Sequence, residues 1–193
     1  MKKSTTRTTV IVVLLVLAVV GYYAYISNRN RESQKEPEMT LVQATLSRDL
    51  SKDYPPTPKE VIKYYNQILK CLYNEETTDE EIEALGLKAR ELYDAELLSV
   101  NELEGYQMRL KAEVYDYRDN QRRITSANVA SSTSVDFFEE DNFEFAKIMC
   151  GYNILQGNKN YSSSQMYLLR KDENKQWKIY GWEDVENLKT EVE

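Results

Sequence analysis

This chain of 193 residues contains no histidine. That absence removes the commonest general base near neutral pH and the commonest metal ligand. Ser-His-Asp and Cys-His nucleophile systems are excluded with it. Cysteine is almost as scarce. Cys71 and Cys150 are far apart and form no Cys-x-x-Cys pair, so a zinc or iron–sulfur site lacks its ligands. No catalytic residue, metal or cofactor is expected. Positive charge is thin beyond the first few residues. Residues 1–26 hold Lys2, Lys3 and Arg7 and no acid, which leaves 22 basic against 32 acidic residues in the remainder, a net −10. So acidic a surface repels nucleic acid and anionic lipid headgroups. The pair Arg122–Arg123 is the nearest thing to a basic stripe. No nucleic-acid partner is expected.

What the chain does have begins with an apolar run. Residues 8–26, "TTVIVVLLVLAVVGYYAYI", are 19 uncharged residues, enough for a helix to cross a hydrocarbon core of about 30 Å. The short basic tail at 1–7 orients the N-terminus inward and the rest of the chain outward, with Tyr22, Tyr23 and Tyr25 at the outer headgroup level. A cleaved signal peptide is the rival reading. It needs small residues at −3 and −1, and Ala24 has Tyr22 two places before it. The expectation is a single-pass cell-membrane anchor with an extracytoplasmic domain. Residues 27–56, with Pro37, Pro55 and Pro56, read as a tether. Within them "MTLVQATLSRDL" carries apolar residues that fit a short docked helix or strand.

From Thr57 the pattern sharpens. Thr57 is placed to cap a helix, Pro58 to be its first residue, and Glu60 to complete a capping box. Val61, Tyr65, Ile68 and Leu72 then recur at helical spacing, widened by Ile62 and Leu69. "TDEE" at 78–81 starts a second helix with Ile82, Leu85, Ala89 and Leu92 inward. A third helix, from about Asn101 to Tyr117, places Leu103, Tyr106, Leu110, Val114 and Tyr117 on one side. After Asn120 the period changes to two. "RRITSANVASSTSVDFF" has no helical stripe. "FEFAKIMCGYNIL" puts Ala146, Ile148, Cys150, Tyr152 and Ile154 on one face. "YSSSQMYLLR" and "QWKIYGWEDV" form a hairpin around the "KDENK" turn. Three helices precede about four antiparallel strands, a segregated α+β domain over 57–186, with 187–193 a tail.

Certain residues invite functional readings. "EEDN" at 139–142 could attract calcium, but its contiguous spacing favours a solvated turn. The 15 tyrosines either replace phenylalanine at the edge of the core or line a pocket, where a ring buries and its hydroxyl binds. In the second case Tyr65, Tyr106, Tyr152 and Tyr167 are the lining. Trp177 and Trp182 are five apart on one strand. They face opposite sides unless a bulge intervenes at Gly181, and the outer one is a candidate interface anchor.

The segments "TPKEVIKYYNQI" and "YLLRKDENKQWKIYGWEDV", in helix-then-meander order, resemble the nuclear transport factor 2-like fold, whose order cystatin-like folds share. The resemblance implies three helices packed in the concave side of a bent antiparallel sheet, forming a cone. "SRDLSKDYPPTPKEV", "KCLYNEETTDEEIE" and "ARELYDAELL" resemble a group of uncharacterised single-pass membrane proteins of Gram-positive anaerobes. That resemblance implies an outward-facing tethered domain and no particular chemistry. In such a cone the elements carrying Cys71 and Cys150 touch, so a disulfide and a pair of buried free thiols both remain open. Enzymes of the superfamily use a His or Asp base. Here the acids to weigh are Asp94, Glu96 and Glu113, and Asp94 and Glu96 read as a solvated helix face. The expected function is a non-catalytic binding or assembly module, partnered by a cell-envelope protein or a second copy. The alternative is a small-molecule site in an aromatic cone. A histidine-free acid–base enzyme comes last.

Overall fold

The computed structural model describes residues 19–23 and 39–185, and the chain divides into two units, residues 1–39 and 40–193. Of the first unit, residues 19–23 are helical and exposed. The rest of the expected anchor, 8–26, lies outside the described residues, as does the tail at 187–193. Among the described residues no helix is long and apolar enough to cross a membrane.

The second unit begins earlier than the expected tether allows. Helix α1 (Leu41–Ser47) is opened by a capping box. Thr40 Oγ1 accepts from the Gln43 amide, and Gln43 Oε1 accepts from the Thr40 amide. Val42, Thr45 and Leu50 are buried, so residues 40–50 dock on the domain as part of its core. The stretch is too short for its apolar residues to reveal a period.

Helix α2 (Pro58–Asn74) starts where Thr57 and Pro58 place it. The cap differs in one detail. Thr57 Oγ1 accepts from the Glu60 amide and donates to the Glu60 carboxylate, so Glu60 folds back on the hydroxyl. Helix α3 (Asp79–Arg90) carries the full Thr78–Glu81 box. A short α4 (Ala95–Val100) and a long α5 (Leu103–Asp119) follow. Helices α3 and α5 approach closely at Gly86, where a Cβ would stand 2.7 Å from Leu110 Cδ2. The glycine lets α5 lie against its neighbour.

The strands are β1 (Arg122–Val129), β2 (Asp136–Glu140), β3 (Phe143–Gln156), β4 (Lys159–Lys171) and β5 (Trp177–Val185), all antiparallel. There are five rather than about four. The long β3 pairs its first residues with β2 and its last with β1, on the same edge. The serine-rich link between β1 and β2 breaks what would be one strand. Ser131 Oγ bonds to the Thr133 and Ser134 hydroxyls around a short 3-10 turn, and such local side-chain bonds compete with a ladder. The sheet order is β1-β3-β4-β5. Of "EEDN", Glu139 and Glu140 end β2, and Asp141 and Asn142 form the turn to β3, both at positive φ, as a tight two-residue hairpin demands.

The helices cover one face of the sheet. Ala146, Ile148, Cys150 and Tyr152 of β3, Tyr167 and Leu169 of β4 and Ile179 of β5 are buried there with Val61, Ile62, Tyr65 and Ile68 of α2. In β5 the pairing passes from Leu169–Ile179 to Leu168–Gly181, leaving Tyr180 as an extra residue. This bulge keeps Trp182 on the same face as Trp177 and Ile179.

Candidate functional site

Side chains from β3, β4 and β5 meet those of α2 and α5 at one end of this interface. Tyr152 and Tyr167 rise from the sheet, and Trp182 sits opposite Tyr167 across the β4–β5 pair. Tyr65, Leu69 and Tyr73 come down from α2 at intervals of four, one row of a helix. Tyr106, Leu110, Glu113 and Tyr117 approach from α5. Between them lie two adjoining hollows of about 290 Å³ and 230 Å³. Tyr65, Leu69, Tyr73, Glu113 and Trp182 line both.

The rings hold one another at edge-contact distances. Tyr65 lies 6.0 Å from Tyr93 and 6.0 Å from Tyr167, and 6.2 Å from Trp182, between ring centroids. Trp182 is 6.1 Å from both Tyr93 and Tyr167. Tyr73 stacks on Tyr117 at 4.1 Å. Such tilted contacts contribute about 0.5–1.5 kcal/mol per pair beyond area burial.

The hydroxyls are tied down. Tyr152 Oη donates to Asn66 Oδ1 at 2.7 Å and meets Tyr167 Oη at 2.6 Å. Tyr167 Oη has one proton to divide between Tyr152 Oη and Gln165 Oε1, the latter at 2.8 Å. Tyr65 and Tyr93 share a hydrogen bond at 3.3 Å. Each ring is thus fixed at both ends, by its backbone and by its oxygen, which limits its collapse into the space beside it. Burial pushes the hydroxyls of Tyr65, Tyr93, Tyr106, Tyr152 and Tyr167 above the ordinary tyrosine value of 10.0. Near neutral pH they are un-ionised donors and acceptors.

The four tyrosines singled out from the sequence all reach this place. Tyr65, Tyr152 and Tyr167 line the larger hollow, and Tyr106 lines the smaller one with Tyr65. Trp182 joins them, which corrects the expectation that one tryptophan lies on the outer face. The residue is 42% exposed and lines both hollows. Trp177 sits elsewhere, buried against Phe137 at 5.6 Å, with its carbonyl accepting from Tyr54 Oη. Tyr73, Tyr93 and Tyr117 were not foreseen as lining. The row Tyr65, Leu69, Tyr73 carried the signal for one of them.

Asp94 is a second correction. It is buried rather than on a solvated face. Its carboxylate receives Arg170 at 2.5 Å (Nη2) and 3.0 Å (Nε), while the exposed Glu96 takes Nη1 at 2.7 Å. Tyr180 Oη, on the outward side of the bulge, donates to Glu96 at 2.6 Å. The Asp94 amide also donates to the Ile179 carbonyl. These contacts clamp the α3–α4 connection to β4 and β5. The two thiols are free, buried and separately partnered. Cys71 Sγ lies 3.3 Å from Thr45 Oγ1, and Cys150 Sγ accepts from Asn66 Nδ2 at 3.3 Å. Burial raises both thiols above their ordinary value. Among the described residues no group of three acidic or thiol side chains could hold a metal ion.

The model of a family described as a domain of unknown function (DUF6715) matches residues 1–182. None of the curated proteins compared with the chain matches it. Among solved structures, the NMR solution structure of TraH from the Gram-positive conjugative plasmid pIP501 is similar at 13% identity and a TM-score of 0.38, over 68% of this chain and 93% of that one.

Proposed function

We propose that this chain, which belongs to the DUF6715 family of domains of unknown function, is a membrane-tethered, extracytoplasmic module that binds a small molecule in the tyrosine-lined hollow. In this reading residues 8–26 are the membrane anchor and the segment after them is the tether. The helices and sheet form a nuclear transport factor 2-like cone, and the hollow is its interior. One observation carries the proposal. A partly exposed indole, Trp182, stands among tyrosine rings on the helix-covered face of the sheet and lines both hollows. An apolar wall with a few fixed polar groups is the usual build of a ligand site, and the larger hollow is near the lower end of the usual size range.

Binding is favoured over acid–base chemistry because the buried hydroxyls are held protonated by their surroundings. Assembly through the outer sheet face loses its proposed anchor, since Trp182 turns inward. A native mass spectrum of the full chain, released from detergent micelles, tests the reading. A monomer carrying a defined extra mass, lost in a Trp182→Ala variant, is expected. A clean dimer without extra mass would overturn the proposal in favour of assembly.

A further inference from the structure

Resting on that binding reading, we infer that the ligand class is an organic cation: an alkylated ammonium group held against Trp182 and Tyr65 in the larger hollow, with Glu113 and Asp184 at its rim. The lining of this hollow contains tyrosines, a tryptophan, apolar side chains, two carboxylates and no lysine or arginine. Aromatic faces are electron-rich and attract cations, most strongly when water is excluded. Asp184 faces inward because the Tyr180 bulge sets the phase of β5, and it pairs with Gln165, accepting from Nε2 at 3.1 Å.

The other ligand classes fit less well. An anion would meet two carboxylates and the negative ring faces. A sugar needs several unengaged donors as well as acceptors, yet the Tyr152, Tyr167 and Gln165 side chains of the lining are already engaged, and the two carboxylates can only accept. The protein's own cations mark where the remaining space is. Arg90 stands over Tyr106 at 5.2 Å, beside the smaller hollow. Arg122 stands over Tyr117 at 5.3 Å and pairs with Asp116. Among the described residues none lies over Tyr65, Tyr167 or Trp182. The acidic surface, net −7 overall, raises the local concentration of cations further.

Tryptophan fluorescence of the full chain in a maltoside detergent provides the test. The probes are choline, benzyltrimethylammonium, benzoate, and 3,3-dimethylbutan-1-ol, the neutral carbon isostere of choline. Choline is expected to bind about tenfold more tightly than its isostere. Exchanging the exposed carboxylates, Glu113→Gln with Asp184→Asn, should cut the affinity of both cations about fivefold while leaving the isostere unchanged. Equal or tighter binding of the isostere or of benzoate would overturn the cation assignment and leave the binding reading standing. If neither cation binds, the assignment is also overturned, and the mass spectrum then decides the binding reading separately.

Discussion

Two ends of one interface are built from different materials. At one end the row Ala146, Leu169 and Ile179 crosses the sheet, and each of these residues is 0% exposed. Ile62, Ile68 and Val61 of α2 belong to the same core. At the other end the rows run Ile148, Tyr167 and Trp182, then Cys150, Gln165 and Asp184, then Tyr152 and Ser163. Branched aliphatic side chains carry no polar atoms, so they settle into whatever shape fills space. Rings tethered through their hydroxyls cannot do so without breaking hydrogen bonds. The same three strands are therefore solid at one end and hollow at the other.

Alkali should break this contrast most forcefully. Tyr65, Tyr93, Tyr152 and Tyr167 have their ionisation raised by burial from 10.0. Below that value both folded and unfolded states are protonated and nothing changes. Above it the unfolded state loses protons that the folded state keeps, so stability falls as pH rises. Each such group costs about 1.4 kcal/mol per pH unit, and four together approach the whole stability of a domain within about two units. Cooperative unfolding is expected about one to two units above pH 10, coincident with a rise in tyrosinate absorbance. Exposed-tyrosine titration without loss of helical circular dichroism would contradict it.

Leu169→Ala attacks the solid end. A fully buried leucine removed from a close-packed row should cost about 2–5 kcal/mol in urea unfolding. Choline binding, corrected for the folded fraction, should remain. Tyr152→Phe attacks the hollow end by deleting the hydroxyl that joins Asn66 to Tyr167. The loss should be about 1–3 kcal/mol, because Asn66 Oδ1 is left without that donor. An unchanged urea midpoint would mean that the ladder does not hold the rings apart. Trp182→Ala loses three ring contacts but starts from a residue already 42% exposed, so a loss of about 1–3 kcal/mol is expected. Its ligand affinity should nevertheless be the most reduced of the three.

The parts of the fold that were legible in the sequence are those determined within a few residues. The Thr57–Pro58 start of α2 and the Thr78–Glu81 box are local hydrogen-bond patterns. The inward face of β3 follows from simple alternation. Asp94 was misread because its partner Arg170 lies 76 residues away in sequence. Nothing near Asp94 announces that pairing. The docking of α1 was open because seven residues cannot establish a helical phase. Tyr65, Tyr106 and Tyr152 could be placed at the interface of helices and sheet because each lies on a periodic stripe. Trp182 was misplaced because counting by twos along β5 fails across the bulge.

That bulge amounts to a half-period phase slip in a repeating signal. Before it, odd-numbered residues of β5 point inward. After it, even-numbered ones do. Without the slip Glu183, rather than Trp182 and Asp184, would face the hollow. The indole and the carboxylate therefore owe their place to the backbone's rhythm. The same letters set to a regular strand would still offer an acid, Glu183, but would turn the indole away from the ligand.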